Sequence, residues 1–317
     1  MTPRKPFTAV IGAGQVGATT AQRILEKGVS DVVLFDVVEG LPQGKALDLM
    51  QASPLEGHDR KIFGTNRYQD IEGAGVVVVT AGLPRKPGMS REDLLSLNAK
   101  IIKEVSLNIK NYAPESKVIV VTNPLDLMTY LAFKTTGFPK ARVFGMAGVL
   151  DAARMRFFIA ERLGAVPREV EAVVLGGHGD LMVPVSSRSF VKGKPVRDLI
   201  PHDELVKIEQ RTRDGGAEIV ALLKTGSAFY APASSVCEMV KAILNNEKKI
   251  LPVCACLDGE YGLRGIYFGV TASLGAGGVE KIMEIPLDPE EKKGLLLSAE
   301  KVRKGIEELE RMMGTAK

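Results

Sequence analysis

Short unbroken aliphatic runs recur through the first half of the chain, and apolar positions between them return at helical spacing. FTAVIG (7–12), DVVLFD (31–36), KIFG (61–64), GVVVVTAG (75–82) and KVIVVTNP (117–124) read as strands. Helices are predicted over Gln15–Lys27, Leu41–Met50 and about Glu92–Asn111. A run without alternation belongs to a strand buried on both faces, as in a parallel sheet covered by helices. Right-handed crossovers then make a doubly wound sheet the default. From about Gly148 the texture changes to a helix at 151–163 and shorter strand-like pieces. Two longer helices (203–223 and 229–245), strands near 249–256 and 265–274, and a charged helix at 289–312 follow. The expectation is a Rossmann-type α/β domain over 1–147 and a mixed α+β domain over 148–317.

Composition narrows the class. The chain has 317 residues, 45% of them hydrophobic and 25% charged, which excludes a disordered polymer. Its net charge of +4 comes from basic residues dispersed among acids, so no nucleic-acid partner is expected. No apolar run reaches the roughly 18 residues of a membrane span. MTPRKPF runs into the first strand without an apolar leader core, and three scattered cysteines argue for a reducing compartment. A cytoplasmic location is therefore expected.

GAGQVG places Gly12, Gly14 and Gly17 in G-x-G-x-x-G spacing, with Ala13, Gln15 and Val16 between them. The motif follows a strand and opens a helix, and Asp36 ends the next strand 19 residues after Gly17. That context marks a dinucleotide site, with the pyrophosphate at the helix N-terminus and the acid on the adenine ribose. Asp36 would repel a 2′-phosphate, and Val37 and Val38 follow it rather than an arginine, so NAD is favoured over NADP. GLPQGKA (40–46) has the wrong spacing for a Walker loop.

An imidazole could come only from His58, His178 or His202. His58 sits in a polar turn (EGHDRK) and His202 just before a helical stretch (IPHDE), where surface or capping roles suffice. His178, in VVLGGHGDLMVP, lies at a strand exit between glycines, where a side chain can be held in a cleft. In LDAARMR, Asp151 and Arg154 share a helix face. They read either as a surface ion pair or as a carboxylate orienting an imidazole beside an arginine that grips another carboxylate. TAGLPRKPGMSRED puts Arg85 and Arg91 in a loop at the carboxyl end of a strand, where open α/β sheets bind ligands. A solvated basic loop is the alternative. Asn123, in VTNP, stands at the tip of the next strand.

These residues, with LFDVVEGLPQGKALDL, LLKTGSAFYAPA and YFGV, resemble the lactate/malate dehydrogenase family over almost the whole chain. Within it, the likeness is to the lactate-dehydrogenase-like malate dehydrogenases of bacteria and archaea. The resemblance implies NAD-dependent, reversible oxidation of (S)-malate to oxaloacetate. It assigns His178 as the proton-exchanging base and Asp151 as its partner. Arg154 then binds the C1 carboxylate, Arg91 polarises the substrate oxygen, and Arg85 meets the second carboxylate. Asn123 touches substrate and cofactor, Val121, Thr122 and Asn98 line the cofactor, and Ser227 aligns with a hydroxyl residue that lines the substrate pocket in the lactate branch. The resemblance also implies a homodimer or homotetramer, the tetramer favoured, with helix 41–56 in subunit contacts.

Rivals are a lactate dehydrogenase, opposed by Arg85, and a catalytically silent NAD-binding scaffold, opposed by the intact His178, Asp151, Arg154 and Arg91. Cys254 and Cys256 alternate on a strand and read as packing rather than as zinc ligands.

Overall fold

The computed structural model describes residues 5–83 and 91–314, and the side chain of Arg91 lies outside that description. In chain order its elements begin β1 (Thr8–Ile11), α1 (Gln15–Glu26), β2 (Val32–Phe35), α2 (Leu41–Glu56), β3 (Ile62–Thr65) and β4 (Val76–Val79). Then come α3 (Arg91–Tyr112), β5 (Lys117–Val120), α4 (Leu125–Thr136), β6 (Val143–Gly145) and α5 (Gly148–Leu163). After these lie β7 (Val170–Glu171), β8 (Val174–Gly176), β9 (Met182–Pro184), β10 (Phe190–Val191) and β11 (Lys194–Pro195). The rest is α6 (Val196–Leu199), α7 (His202–Leu223), α8 (Tyr230–Leu244), β12 (Lys249–Asp258), β13 (Arg264–Gly275), β14 (Gly278–Ile282) and α9 (Pro289–Met312).

The chain forms two compact units. The first runs through Met146 and takes back Phe229–Lys249 and Leu274–Glu280. Its sheet is parallel in the order β3-β2-β1-β4-β5-β6. Val10 stands beside Leu34 and Val78, and Val78 beside Ile119, all wholly enclosed. The aliphatic runs thus become the two-sided core that their lack of alternation predicts. Strand order reverses between β1 and β4, and the glycine turn leaves the carboxyl end of β1 at that switch point. Helix α8 packs along α1 with Val236, Cys237 and Val240 fully buried, and burial pushes the Cys237 thiol up to about 11.

Two features differ from the sequence reading. α2 runs past the Met50 limit of the hydrophobic pattern to Glu56, the end that the family resemblance implied; the Met50 carbonyl that Pro54 cannot serve accepts the Ser53 hydroxyl at 2.8 Å, and Gly57, at φ 71°, closes the helix in the left-handed region. α4, with strand β6 after it, had no distinct signal, since LDLMTYLAFKTT buries several faces.

The second unit, Ala147–Ala228, Ile250–Ser273 and the chain from Lys281, carries strands in the order β12-β13-β8-β9. β13 and β9 both run antiparallel to β8, and β11-β10-β7 form a small separate sheet. α9 packs on β8 and β9.

The start of α9 is a capping box: Asp288 accepts the Glu291 N–H at 2.8 Å, and Glu291 accepts the Asp288 N–H at 3.0 Å. Burial works to raise the Asp288 carboxyl, but the Glu291 amide and the Arg197 guanidinium outweigh it and hold the group below the ordinary carboxylate range. A carboxyl depressed in the folded state contributes stability above its unfolded value and loses it as pH falls through the folded one. Asp288→Ala is expected to cost about 1–2 kcal/mol near neutrality and progressively less in acid. Thermal unfolding of both proteins at pH 7 and pH 3 checks this; an equal deficit at both values contradicts it.

Candidate active site

The first unit's glycine turn is fixed by its own side-chain network. Gly12 has φ 105°, a region open to glycine, and a Cβ there would stand 2.7 Å from the Thr80 hydroxyl oxygen. Thr80 donates to the Gly12 carbonyl at 3.0 Å, and Lys45 Nζ donates to the Ala13 carbonyl at 2.7 Å. Asp36 accepts the Ala13 N–H at 2.7 Å through one carboxylate oxygen and the Val38 N–H at 3.0 Å through the other. Gly17 packs so close that a Cβ would lie 1.8 Å from the Gly12 oxygen. Gly14 and Gln15 are exposed, Val16 is half-buried, and a Cβ on Gly14 would meet nothing within 4 Å.

Beside this turn, Asn98 is buried and its amide is fully engaged. Its oxygen accepts the Leu83 N–H at 2.8 Å, while its nitrogen donates to Leu83 O at 3.2 Å and Asn123 O at 2.8 Å. It therefore acts by holding two loop backbones. Thr122 is buried and donates to Ala81 O at 2.7 Å; Val121 is half-buried, and Asn123 is exposed.

In the second unit, His178 follows β8 and meets Asp151 from the first turn of α5. The His178 Nδ1 lies 2.9 Å from Asp151 Oδ2, and the Asp151 side chain is 2% exposed. A carboxylate can only accept, so this contact assigns the proton to Nδ1. The start of α5 adds favourable dipole potential at Asp151. Arg154, one turn on, approaches Asp151 at 3.5 Å and is 13% exposed. Burial lowers its pKa, opposed by the Asp151 charge, yet a guanidinium stays protonated.

Gly215 and Gly216, mid-helix in α7, were not anticipated. A Cβ on Gly215 would come within 3.1 Å of Arg154 Cδ, and one on Gly216 within 3.6 Å of its Nη2. Paired glycines inside RTRDGGAEIV, where each costs about 1 kcal/mol against alanine, were the available signal. Thr80 and Lys45 were also missed; the threonines ending both VVT segments were the hint for the first. Ser227 is exposed between α7 and α8, with no hydrogen bond or ion pair among the described residues. His202 is exposed at the start of α7, and His58 is half-buried with Nδ1 enclosed. Arg85 lies outside the described residues; Arg91 opens α3.

Comparison with known proteins bears on both units. Residues 8–145 match the lactate/malate dehydrogenase NAD binding domain, and residues 148–313 match the alpha/beta C-terminal domain of the same family. The chain belongs to the lactate/malate dehydrogenase family.

It is 54% identical to a malate dehydrogenase of Methanosarcina barkeri over 302 residues, 95% of this chain and 98% of that protein. It is 56% identical to a malate dehydrogenase of a Synechocystis species over 298 residues, 94% of this chain and 92% of that one. Among solved structures, Cryptosporidium parvum malate dehydrogenase matches with a TM-score of 0.95 at 42% identity, covering 97% of this chain and 100% of that chain. The lactate dehydrogenase of that organism, solved with lactic acid and nicotinamide adenine dinucleotide, matches at 0.94 and 41%, covering 97% and 98%.

The residues present fit the family's NAD. The exposed turn at Gly14 and the first amides of α1, which have no intrahelical acceptors, would hold a pyrophosphate, and the Asp36 carboxylate would meet a ribose diol. Gly17→Ala, which forces a side chain into the Gly12 backbone, is expected to weaken NADH binding at least tenfold while leaving the second unit folded. NADH fluorescence titration with circular dichroism checks this; unchanged affinity removes the turn from the cofactor site.

Proposed function

We propose that this chain is an NAD-dependent malate dehydrogenase that oxidises (S)-malate to oxaloacetate reversibly. The observation that carries the reading is the enclosed His178–Asp151 pair with Arg154 one helical turn away.

In the oxidation direction His178 Nε2 accepts the hydroxyl proton of malate, and Asp151 stabilises the imidazolium through Nδ1. NAD, when bound, supplies the acceptor for the hydride leaving C2. Arg154 holds the C1 carboxylate through its planar fork, with Gly215 and Gly216 keeping bulk away from its stem. In the reverse direction the protonated imidazole and Arg91 stabilise charge developing on the keto oxygen. Arg85 provides the counter-charge for the second carboxylate. With pyruvate that arginine lacks its partner, so discrimination against pyruvate amounts to several kcal/mol at most. Asn98 and Thr122 shape the cofactor side by fixing the backbones of Leu83, Asn123 and Ala81. Ser227 belongs to the proposed substrate pocket on the strength of sequence likeness.

The same reading includes a cytoplasmic enzyme of the tricarboxylic acid cycle, acting as a homotetramer. Three free cysteines fit a reducing compartment. Leu47 and Leu55 on α2 are 61% and 89% exposed, apolar surface suited to a second copy of the chain.

NADH consumption measured in parallel with oxaloacetate, pyruvate and a branched 2-keto acid tests the substrate. Oxaloacetate is expected to be fastest, and a preference for pyruvate overturns the reading. His178→Asn is expected to retain NADH binding and lose turnover by about 10³-fold or more. Arg85→Gln is expected to shift kcat/KM toward pyruvate, and unchanged selectivity on both keto acids removes Arg85 from specificity.

A further inference from the structure

The hydroxyl of Ser298, on α9, accepts the N–H of Gly177 at 2.9 Å in a buried contact that spans 121 residues of sequence. Gly177 is the residue immediately before His178. The neighbouring backbone lies flush on the same helix: a Cβ on Gly176 would stand 3.1 Å from Ser298 Oγ, and one on Gly177 only 2.8 Å from Val302 Cγ2. Gly176 adopts φ 89°, so the chain reverses sharply here, and this peptide sets the direction in which the imidazole leaves β8.

A second tether grips the same segment further on. Glu291, 7% exposed, accepts the Ser187 N–H at 3.0 Å and the Ser187 hydroxyl at 2.6 Å. Between these contacts, Asp180–Pro184 lines a cavity of about 550 Å³ bordered by α7 and α9. Met182 and Val183 are buried in this stretch, and polar contacts from α9 hold the segment on either side of it.

We propose that Ser298 is a positioning residue for the proton-transfer step: by fixing the Gly177 amide it sets the His178 ring so that Nδ1 stays on Asp151 and Nε2 faces the substrate. The proposal rests on the reading of His178 as the proton acceptor. Loss of the hydroxyl leaves a buried amide without its acceptor and frees the peptide that carries the ring. Small displacements of an acid–base group act on the chemical step more than on ground-state binding.

The test compares full-length wild type, Ser298→Ala, Leu309→Ala and His178→Asn. Leu309 is buried on α9 about three turns beyond Ser298 and serves as a measure of general loosening of the helix. Ser298→Ala is expected to lower kcat with oxaloacetate about tenfold, with KM and the NADH dissociation constant within about twofold. With 15N-histidine labelling and saturating NADH, the downfield Nδ1–H resonance of His178 is expected to broaden or move upfield in Ser298→Ala. Leu309→Ala should lower the melting temperature and leave both kcat and that resonance in place. If Ser298→Ala does not fold, Ser298→Cys, slightly larger and a weaker acceptor, is read by the same measurements, and an intermediate loss is expected.

Wild-type kcat and resonance in the serine variants, or the same losses in Leu309→Ala, overturn the positioning role. An active His178→Asn overturns the reading of the base itself, whatever the serine variants do.

Discussion

An enclosed carboxylate facing an imidazole is the constraint from which the second unit's architecture follows. A carboxylate removed from water must find donors or be destabilised by several kcal/mol. Asp151 meets that demand with the His178 ring, the more distant Arg154 and the start of α5. The strand that delivers His178 must end in a reversal, which requires Gly176 in a positive-φ conformation. The neighbouring strand must also come close: a Cβ on Gly269 would sit 2.3 Å from the Gly176 oxygen. One contact thereby dictates small residues on two strands and a close helix behind them.

The dinucleotide turn obeys the same logic with the opposite charge. Its purpose is to present N–H groups outward, so its carbonyls need partners inside the protein. Thr80 and Lys45 supply them, and Asp36 locks the Ala13 amide against the end of β2. The turn is rigid before any ligand arrives, so little ordering entropy remains to be lost on binding. The Asp36 carboxylate thus shapes the turn through both oxygens, and each oxygen retains a lone pair beyond these contacts.

Much of this was legible in the sequence because it is local. Unbroken Val and Ile runs declare buried parallel strands, the spacing from Gly17 to Asp36 declares a βαβ dinucleotide unit, and glycines on either side of His178 distinguish it from two other histidines. What stayed hidden depends on distant pairing. Ser298 meets Gly177 across 121 residues, and a serine within a charged helix carries no mark of that partner. Asn98, expected at the cofactor, also ties Leu83 to Asn123 through its amide, a contact visible only once α3 and the two loops are placed. The helical pattern of α2 faded at Met50 because Pro54 cannot serve the Met50 carbonyl, and the Ser53 hydroxyl that does so is a contact no hydrophobic pattern records.

The return of Phe229–Lys249 to the first unit gives the polypeptide a temporal order. α1 is covered by α8, which is synthesised more than two hundred residues later. At roughly 5–20 residues per second, the nascent first unit waits on the order of ten seconds or more with that helix face uncovered. During that interval the apolar face of α1 lacks its native cover. The same threading means that no single cut in the polypeptide separates the two units.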